Sequence, residues 1–552
     1  MLFCEKRWVR YLLLAISGIL TGLTLTFPVL GFLEWLTLIP FGLFLLDYAM
    51  RSQVRLRALY GYGLFFFFCY YLVVYHWFIN LYPLDFIDGM TKGAALCVVG
   101  VSWFGLSLLQ ALMAGVTFIA MGLLFRTPLA RKLPILRPFL AAAVWTVFEW
   151  SQTLGWWGVP WGRLPLGQAA YPIGLQTASW FGTYFITFLL VAVNLCLAMG
   201  VILCLRRYET PLKYSLRPIC ISVAAMLLFQ YGAGCAIWFT HKDEGEPLRV
   251  AAIQGNISSN EKWSPNSTKR THEVYRKYTL LAAEEGAEVV VWPETALPYA
   301  IIEGNTSYRY VSSLAKEAGV TILVGAFKET EDDAEPWGEY NAIFCFLPDG
   351  SCKEEFYAKR RLVPFGEFVP MRGLIETVIP PLAELVMSGD DVLWGEGASL
   401  FETEQGRIGS LICFDSIYED LTRESTLAGA ELICLSTNDS WFTDSVALYM
   451  HNGQAQMRAI ESGRYVVRAA NTGISTVISS RGQILEKKEP LVEGMVVSDV
   501  YLSQHQTLYT RLGNLFVYLW IALLLLYAVW QVVWYRRERA WLKKHDEIVT
   551  NS

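Results

Sequence analysis

Two apolar patterns divide the chain. Up to residue 240, and again from 513, long runs of Leu, Phe, Val, Ile and Trp continue without the alternation of a half-buried surface. Between them, short apolar runs recur, separated by polar stretches and by Gly and Pro. A bilayer crossing needs about 20 apolar residues, which predicts eight spans, near 11–28, 30–48, 58–79, 93–125, 138–158, 179–204, 218–240 and 513–535. The first run follows Lys6, Arg7 and Arg10 as a secretory leader would. It re-enters apolar sequence with no small-residue cleavage site before polar chain, so it reads as a span.

Basic residues mark alternate loops. They precede the first span and recur at Arg51, Arg55 and Arg57, at Arg126, Arg131, Lys132 and Arg137, at Arg206, Arg207, Lys213 and Arg217, and at Arg536, Arg537 and Arg539. The intervening loops are acidic or uncharged, as at Asp85, Asp88, Asp243, Glu244 and Glu246. Lys and Arg stay on the cytoplasmic side, so both termini are expected there, with residues 241–512 across the membrane, in a bacterium in the periplasm. The expected division is 1–240 for spans one to seven, 241–512 for a soluble domain, 513–535 for span eight and 536–552 for a cytoplasmic tail. Stretch 151–178, rich in Trp, Gly and Pro, falls on the soluble domain's side and reads either as an interfacial aromatic belt or as a wall of a site where a lipid tail enters. Glu149 lies inside a span, where an acid is commonly paired or functional.

In the soluble part, strands are expected at 248–253, 287–292, 320–326, 341–347, 408–413, 431–436 and 474–479, with a helix from His272 to Glu285. Such alternation predicts an α/β sandwich with the reactive ends of its strands on one rim. The whole is thus a polytopic α-helical membrane domain of about eight helices carrying an α/β sandwich domain.

Composition agrees: 552 residues exceed one typical domain, 54% are hydrophobic, and the mean hydropathy is +0.35. A net charge of −5 with no dense basic patch argues for no nucleic-acid partner. Eleven cysteines and six histidines form no CxxC pair or His/Cys cluster in sequence, so no metal and no cofactor are expected. Around Pro348-Asp349-Gly350, a two-residue hairpin would set Cys345 opposite Glu354 and Cys352 opposite Leu347, leaving two free thiols.

Candidate chemistry lies in three stretches. In RIGSLICFDSIYED (407–420), Ile408–Ile412 reads as a buried strand bounded by Gly406 and Gly409, delivering Cys413 at its end. Alone, Cys413 reads first as a small buried apolar residue, which is what most free cysteines are. In AEVVVWPETALP (287–298), Pro293 stops a strand and presents Glu294. In YAKRRLVPFGEFVP (357–370), Lys359 is followed by an apolar run and a second acid, Glu367. Singly, a strand-end Glu is often an ion-pair partner and a Lys in a basic triplet is usually solvated.

Taken in order, WPET, YAK with LVPFGEF, LICFDSIYED and STNDSWF (436–442) resemble the nitrilase superfamily, and within it the apolipoprotein N-acyltransferase family of bacterial membranes. The resemblance extends to Gln254-Gly255-Asn256 with Trp263, to AQMRAIESGR (455–464), to RAANTGIS (468–475), and to Phe148-Glu149-Trp150 and Pro160-Trp161, so it spans nearly the whole chain. It implies a four-layer αββα sandwich and a Glu294, Lys359, Cys413 catalytic triad. Glu294 would be the general base and Cys413 the acyl-carrying nucleophile, while Lys359 would supply positive charge beside thiolate and oxyanion. It also implies a supporting role for Glu367 and a lipid-positioning role for Trp263, and brings in Asn438 and Trp441 of STNDSWF as neighbours. Where the family usually has Cys-Tyr-Glu, this chain has Cys413-Phe414-Asp415, losing a phenolic hydroxyl and one methylene.

The membrane spans then make a phospholipid the natural acyl donor, with the α-amine of an S-diacylglyceryl cysteine on an apolipoprotein as acceptor. A membrane-anchored amidohydrolase with water as acceptor, and a non-catalytic lipid-binding or transport protein, stand as alternatives.

Overall fold

The computed structural model describes residues 5–49, 51, 54–84, 89–155, 158–205, 216–262, 267–330, 338–378 and 391–550. Among them, seven helical segments are long and apolar enough to cross a membrane: Arg7–Thr26, Pro28–Ala49, Leu56–Val74, Lys92–Phe125, Thr183–Leu205, Arg217–Thr240 and Leu515–Arg537. Where Pro28–Ala49 is interrupted, Asn194 of Thr183–Leu205 takes the Leu38 N–H and donates to the Glu34 carbonyl, at 2.9 Å each, so backbone groups left open by the break are satisfied, as hydrocarbon demands. The span expected at 138–158 is a shorter helix, Leu136–Ser151, of 16 residues, about 24 Å long at 1.5 Å per residue. It ends early because the chain turns through Gly155 at φ +70° toward Pro160, which cannot continue a helix.

This short helix packs against Thr183–Leu205, with Val116–Phe125 and the Leu515–Thr550 helix beside it. The Leu515–Thr550 helix starts beside the soluble domain, where Asn514 donates to Glu419 at 3.3 Å. Tyr527, further along it, bonds Thr127, which lies nine residues before the start of Leu136–Ser151. Next to Thr127, Arg126 donates to the Arg51 carbonyl at 3.2 Å between the second and third spans, and Arg10, near the start of the first, donates to Tyr62. The far end of Leu136–Ser151 meets the loop that enters the soluble domain.

That domain is two six-stranded sheets. With β1 Leu248–Gln254, β2 Val289–Val291, β3 Thr321–Glu329, β4 Glu339–Phe346, β5 Tyr357–Ala358, β6 Leu400–Thr403, β7 Gly406–Ile412, β8 Leu432–Thr437, β9 Val466–Ala470, β10 Thr476–Ile478, β11 Ile484–Lys487 and β12 Gly494–Val500, their orders are β12-β1-β2-β3-β4-β5 and β11-β10-β9-β8-β7-β6. The pairs β1–β2, β2–β3, β7–β8 and β8–β9 are parallel and the rest antiparallel. The period of two along strands sorts side chains between layers. Val250, Ala252, Val289, Val291, Leu323 and Cys345 face the second sheet. Their neighbours Ala251, Ile253, Val290, Trp292, Ile322 and Phe344 pack under helices Ser267–Glu284 and Thr306–Ala318. Helices Glu419–Ala428 and Val446–Ser462 cover the other sheet, completing an αββα sandwich. The inter-sheet core is continuous with the core of the membrane helices, where Phe41, Phe66, Phe118 and Trp145 interlock.

Three sequence expectations change. Gly409 does not bound a strand: β7 passes through it, because Ala430 sits where a side chain would be, 2.8 Å from an added Cβ. The hairpin after β4 has a three-residue loop, closed by Leu347 N–H to the Ser351 carbonyl at 2.8 Å. This sets Cys352 opposite Phe346, so the register is one residue off the expected one, and both thiols are free. Strands β5, β6, β9, β11 and β12 were not expected. β9 hides its signal in a buried Arg468, and β12 is an alternating edge strand paired antiparallel with β1.

Candidate active site

The chemistry gathers at the carboxyl ends of the parallel strands. β2 ends at Val291, and Pro293 turns the chain so that Glu294 emerges, 5% exposed. This turn presses on β3 so closely that a Cβ on Gly325 would lie 2.3 Å from the Pro293 carbonyl oxygen. β5 delivers Lys359, which donates to Glu294 Oε1 at 2.8 Å and to Glu367 Oε1 at 2.9 Å. β7 delivers Cys413 at φ +49°, at the start of a tight turn, Cys413–Ile417. Cys413 is half-buried, and its sulfur feels the charges of both Glu294 and Lys359.

The Glu294 carboxylate is held on both oxygens. Asn341, in β4, donates to Glu294 Oε1 at 2.7 Å and to Glu367 Oε1 at 2.9 Å, while the backbone N–H of Asn438 donates to Glu294 Oε2 at 2.8 Å. Glu367 Oε2 takes the Val363 N–H at 2.9 Å. Behind that carboxylate, buried Lys262 reaches the Glu294 carbonyl at 3.3 Å and the Thr295 hydroxyl at 2.5 Å. Thr295 has φ +44°, so this ammonium steadies a backbone that few non-glycine residues adopt.

The charges have readable causes. Burial opposes the Lys359 ammonium, but Glu294, Glu367 and the thiol together raise it well above its ordinary value. Burial, then Glu294, push the Cys413 thiol up, against Lys359. The Cys413 thiol therefore holds its proton at rest. Burial brings Lys262 down to about 7 despite Glu294, and raises Asp415 to about 6 against Lys359 and its hydrogen bonds.

The Phe414-Asp415 departure is accommodated locally. Asp415 accepts from the Tyr357 hydroxyl at 2.9 Å, Ile412 N–H at 3.1 Å, Arg360 N–H at 3.2 Å and Arg361 N–H at 2.8 Å. It thus ties the nucleophile's turn to the segment carrying Lys359, and β5 supplies the phenol. Phe414 packs edge-on against Tyr418, centroids 5.6 Å apart.

The other expected residues are placed as follows. Asn438 contributes its backbone, its side chain accepting from Asn471 at 3.1 Å. Trp441 is half-buried in the turn Ser440–Phe442, whereas Phe442 packs on Trp77 and Trp161. Trp263 lies outside the described residues. Glu149 is consumed by protein donors, Trp145 Nε1 and Leu164 N–H at 3.0 Å each and Thr187 Oγ1 at 2.5 Å, so it anchors the following loop. That loop turns inward at Trp161, which is 3% exposed and lies 5.6 Å from the His451 ring.

Sequence reading missed Asn341, Lys262, Thr437, Asp439, His451 and Arg468. Thr437, Asp439 and Arg468 lie in the STNDSWF and RAANTGIS stretches that carry the resemblance, without a role assigned to them, and a lone Asn in the apolar strand EYNAIFCF was the signal for Asn341. Cys413, Asp439 and His451 come together in space, with one donor atom from each within 4.8 Å of the others. Arg468, 2.7 Å from Asp439 Oδ2, already stands where a cation would.

The fold and the site define a nitrilase-type domain seated on membrane helices. Residues 249–509 match the carbon-nitrogen hydrolase family and residues 17–196 the apolipoprotein N-acyltransferase N-terminal domain. An apolipoprotein N-acyltransferase of Gloeobacter violaceus is 31% identical over 533 residues, covering 95% of this chain and 94% of that one. One from Geobacter metallireducens is 29% identical over 515 residues, 93% of each. An amidase from Nesterenkonia sp. superposes on 47% of this chain and 93% of its own, at 18% identity and a TM-score of 0.35. The chain belongs to the apolipoprotein N-acyltransferase family.

Proposed function

We propose that this protein moves a fatty acyl chain from a membrane glycerophospholipid, through a thioester on Cys413, to the N-terminal α-amine of an S-diacylglyceryl-cysteine apolipoprotein. The observation that carries the reading is the contact of Lys359 with both Glu294 and Glu367, beside a cysteine whose sulfur feels that cluster, in a sandwich sharing its core with membrane helices. In the first step, Glu294 takes the Cys413 proton as sulfur attacks the ester carbonyl. The Lys359 ammonium faces the tetrahedral oxyanion. The carbon–oxygen bond breaks, and Glu294 returns its proton to the departing lysophospholipid oxygen. In the second, the neutral α-amine attacks the thioester and Glu294 takes its proton; the carbon–sulfur bond breaks and Glu294 returns that proton to the leaving sulfur, giving an amide and restoring the thiol.

An apolar cavity of about 400 Å³, lined by Leu23, Phe27, Leu72, Val73, His76 and Trp103, has the character an acyl tail needs. From His76 an aromatic chain of Trp77, Phe442 and Trp161 leads to His451 beside the nucleophile. Arg126 and Arg51, joined beside Thr127, and Arg10 near the start of the first span support cytoplasmic termini and a periplasmic sandwich in a bacterial inner membrane.

The experiment is a chase. Wild-type protein given labelled phospholipid should form a hydroxylamine-sensitive adduct, absent from Cys413→Ala, and a diacylated lipopeptide should then take the label as an amide. Decay of the adduct to free fatty acid alone, with lipopeptide present, would make the protein a hydrolase.

A further inference from the structure

The polar cluster behind the nucleophile has no part in the steps above, yet it grips the nucleophile's backbone. Cys413 sits at φ +49°, where a non-glycine residue stays only if its surroundings enforce it. Its carbonyl accepts from Ser416 Oγ at 2.8 Å and lies 3.1 Å from His451 Nε2, which is also 3.1 Å from Ser416 Oγ. His451, 1% exposed, is held at its other nitrogen by Asp439 Oδ1 at 2.9 Å and Arg468 at 3.1 Å. Arg468 also binds Asp439 Oδ2 at 2.7 Å, Thr437 donates to Oδ1 at 3.1 Å, and Trp161 covers the ring.

Cysteine, histidine and aspartate so close together have the composition of a thiol-protease site. The hydrogen bonds oppose that role. The Ser416 hydroxyl gives its hydrogen to the Cys413 carbonyl, so Nε2 faces two oxygens that present lone pairs, that carbonyl and Ser416 Oγ at 3.1 Å, and is assigned a hydrogen. Nδ1 either donates to the Asp439 carboxylate or accepts from Arg468; it is engaged in both cases, and no lone pair is left for the thiol proton.

We infer that His451 is a positioning residue: its Nε2–H bond to the Cys413 carbonyl, braced by Asp439 and Arg468, fixes the left-handed turn that aims the sulfur at Glu294 and Lys359. The inference takes Cys413 as the acylated residue, but its test can be read without acyl transfer.

Full-length wild type, His451→Gln, His451→Leu and Ser416→Ala are compared in detergent. Two rates are read: iodoacetamide alkylation at the Cys413 peptide as a function of pH, and thioester formation from labelled phosphatidylethanolamine in mixed micelles. Glutamine can place an N–H on the same carbonyl and leucine cannot. His451→Leu should form thioester about 100-fold more slowly or worse, with a displaced alkylation profile, while His451→Gln stays within about 10-fold of wild type. Ser416→Ala, losing the second donor, should fall between them. If the leucine variant does not fold, His451→Asn, too short to reach the carbonyl, replaces it with the same expectation. Wild-type rates and profile in His451→Leu would overturn the inference. So would a glutamine variant as slow as leucine, since the imidazole would then act in proton transfer. Should wild type form no thioester at all, the acyl-transfer reading fails, and the alkylation profiles alone decide the role of His451.

Discussion

A carboxylate one methylene shorter than the family's usual glutamate serves here because four donors converge on it. Asp415 receives the Tyr357 hydroxyl and the N–H groups of Ile412, Arg360 and Arg361. Once protonated it brings a hydrogen into a ring of donors, and at least one bond must break. Burial raises that event to about 6, above the ordinary carboxyl value, so the closed site takes up the proton more readily than an opened turn or an unfolded chain does, and this group's contribution to stability grows as pH falls through about 6. Asp415→Asn, neutral at every pH, should lack that dependence. The thermal unfolding midpoint of wild type in detergent, compared with that of the variant, should therefore gain on it between about pH 7.5 and about pH 5. A wild type that loses ground to the variant over that interval would refute the assignment.

Elements set the site by how closely they approach each other. The Pro293–Glu294 turn lies directly on β3, with room only for hydrogen at Gly325. Gly325→Ala should push Glu294 off Lys359, cutting thioester formation at least about 10-fold while the sandwich still folds, as far-ultraviolet circular dichroism would report. An alanine variant with full activity would show that the turn has slack. This contact also marks the limit of sequence reading. Strand-end motifs exposed Glu294, Lys359 and Cys413 because proline, basic triplet and cysteine interrupt apolar runs at the ends of β2, β5 and β7. Asn341 and Arg468 sit inside strands as buried polar residues whose partners come from remote segments, and no local pattern names those partners. The Leu136–Ser151 helix was overextended because Trp, Gly and Pro beyond it are apolar enough to prolong a hydropathy run. Only a structure reveals that they turn into the active site.

At the scale of the molecule, membrane and sandwich are joined by buried charge. Arg163, from the loop after the Leu136–Ser151 helix, donates to Glu419 at 2.9 Å, to the Tyr184 hydroxyl at 2.8 Å and to the carbonyl of Ile417, the last residue of the nucleophile's turn, at 3.0 Å. Arg458 pairs with Glu461 at 2.7 Å, and Glu461 takes the Thr183 hydroxyl at 2.8 Å. Removing one partner of a dry ion pair strands the other, at about 3–5 kcal/mol. Arg163→Gln and Glu419→Gln should each lower the thermal unfolding midpoint in detergent, and the double variant should lose less than the sum of the two. Additive losses would mean that the pair does not join the parts. The account depends above all on three groups from separate segments making one acylating centre at this junction. Mass spectrometry of peptides from protein incubated with phospholipid tests that most directly. One hydroxylamine-labile acyl group on the peptide containing Cys413, absent when Glu294→Gln or Lys359→Met is used, is the predicted result. Acyl groups on another residue, or on Cys413 at undiminished rate in both variants, would contradict it.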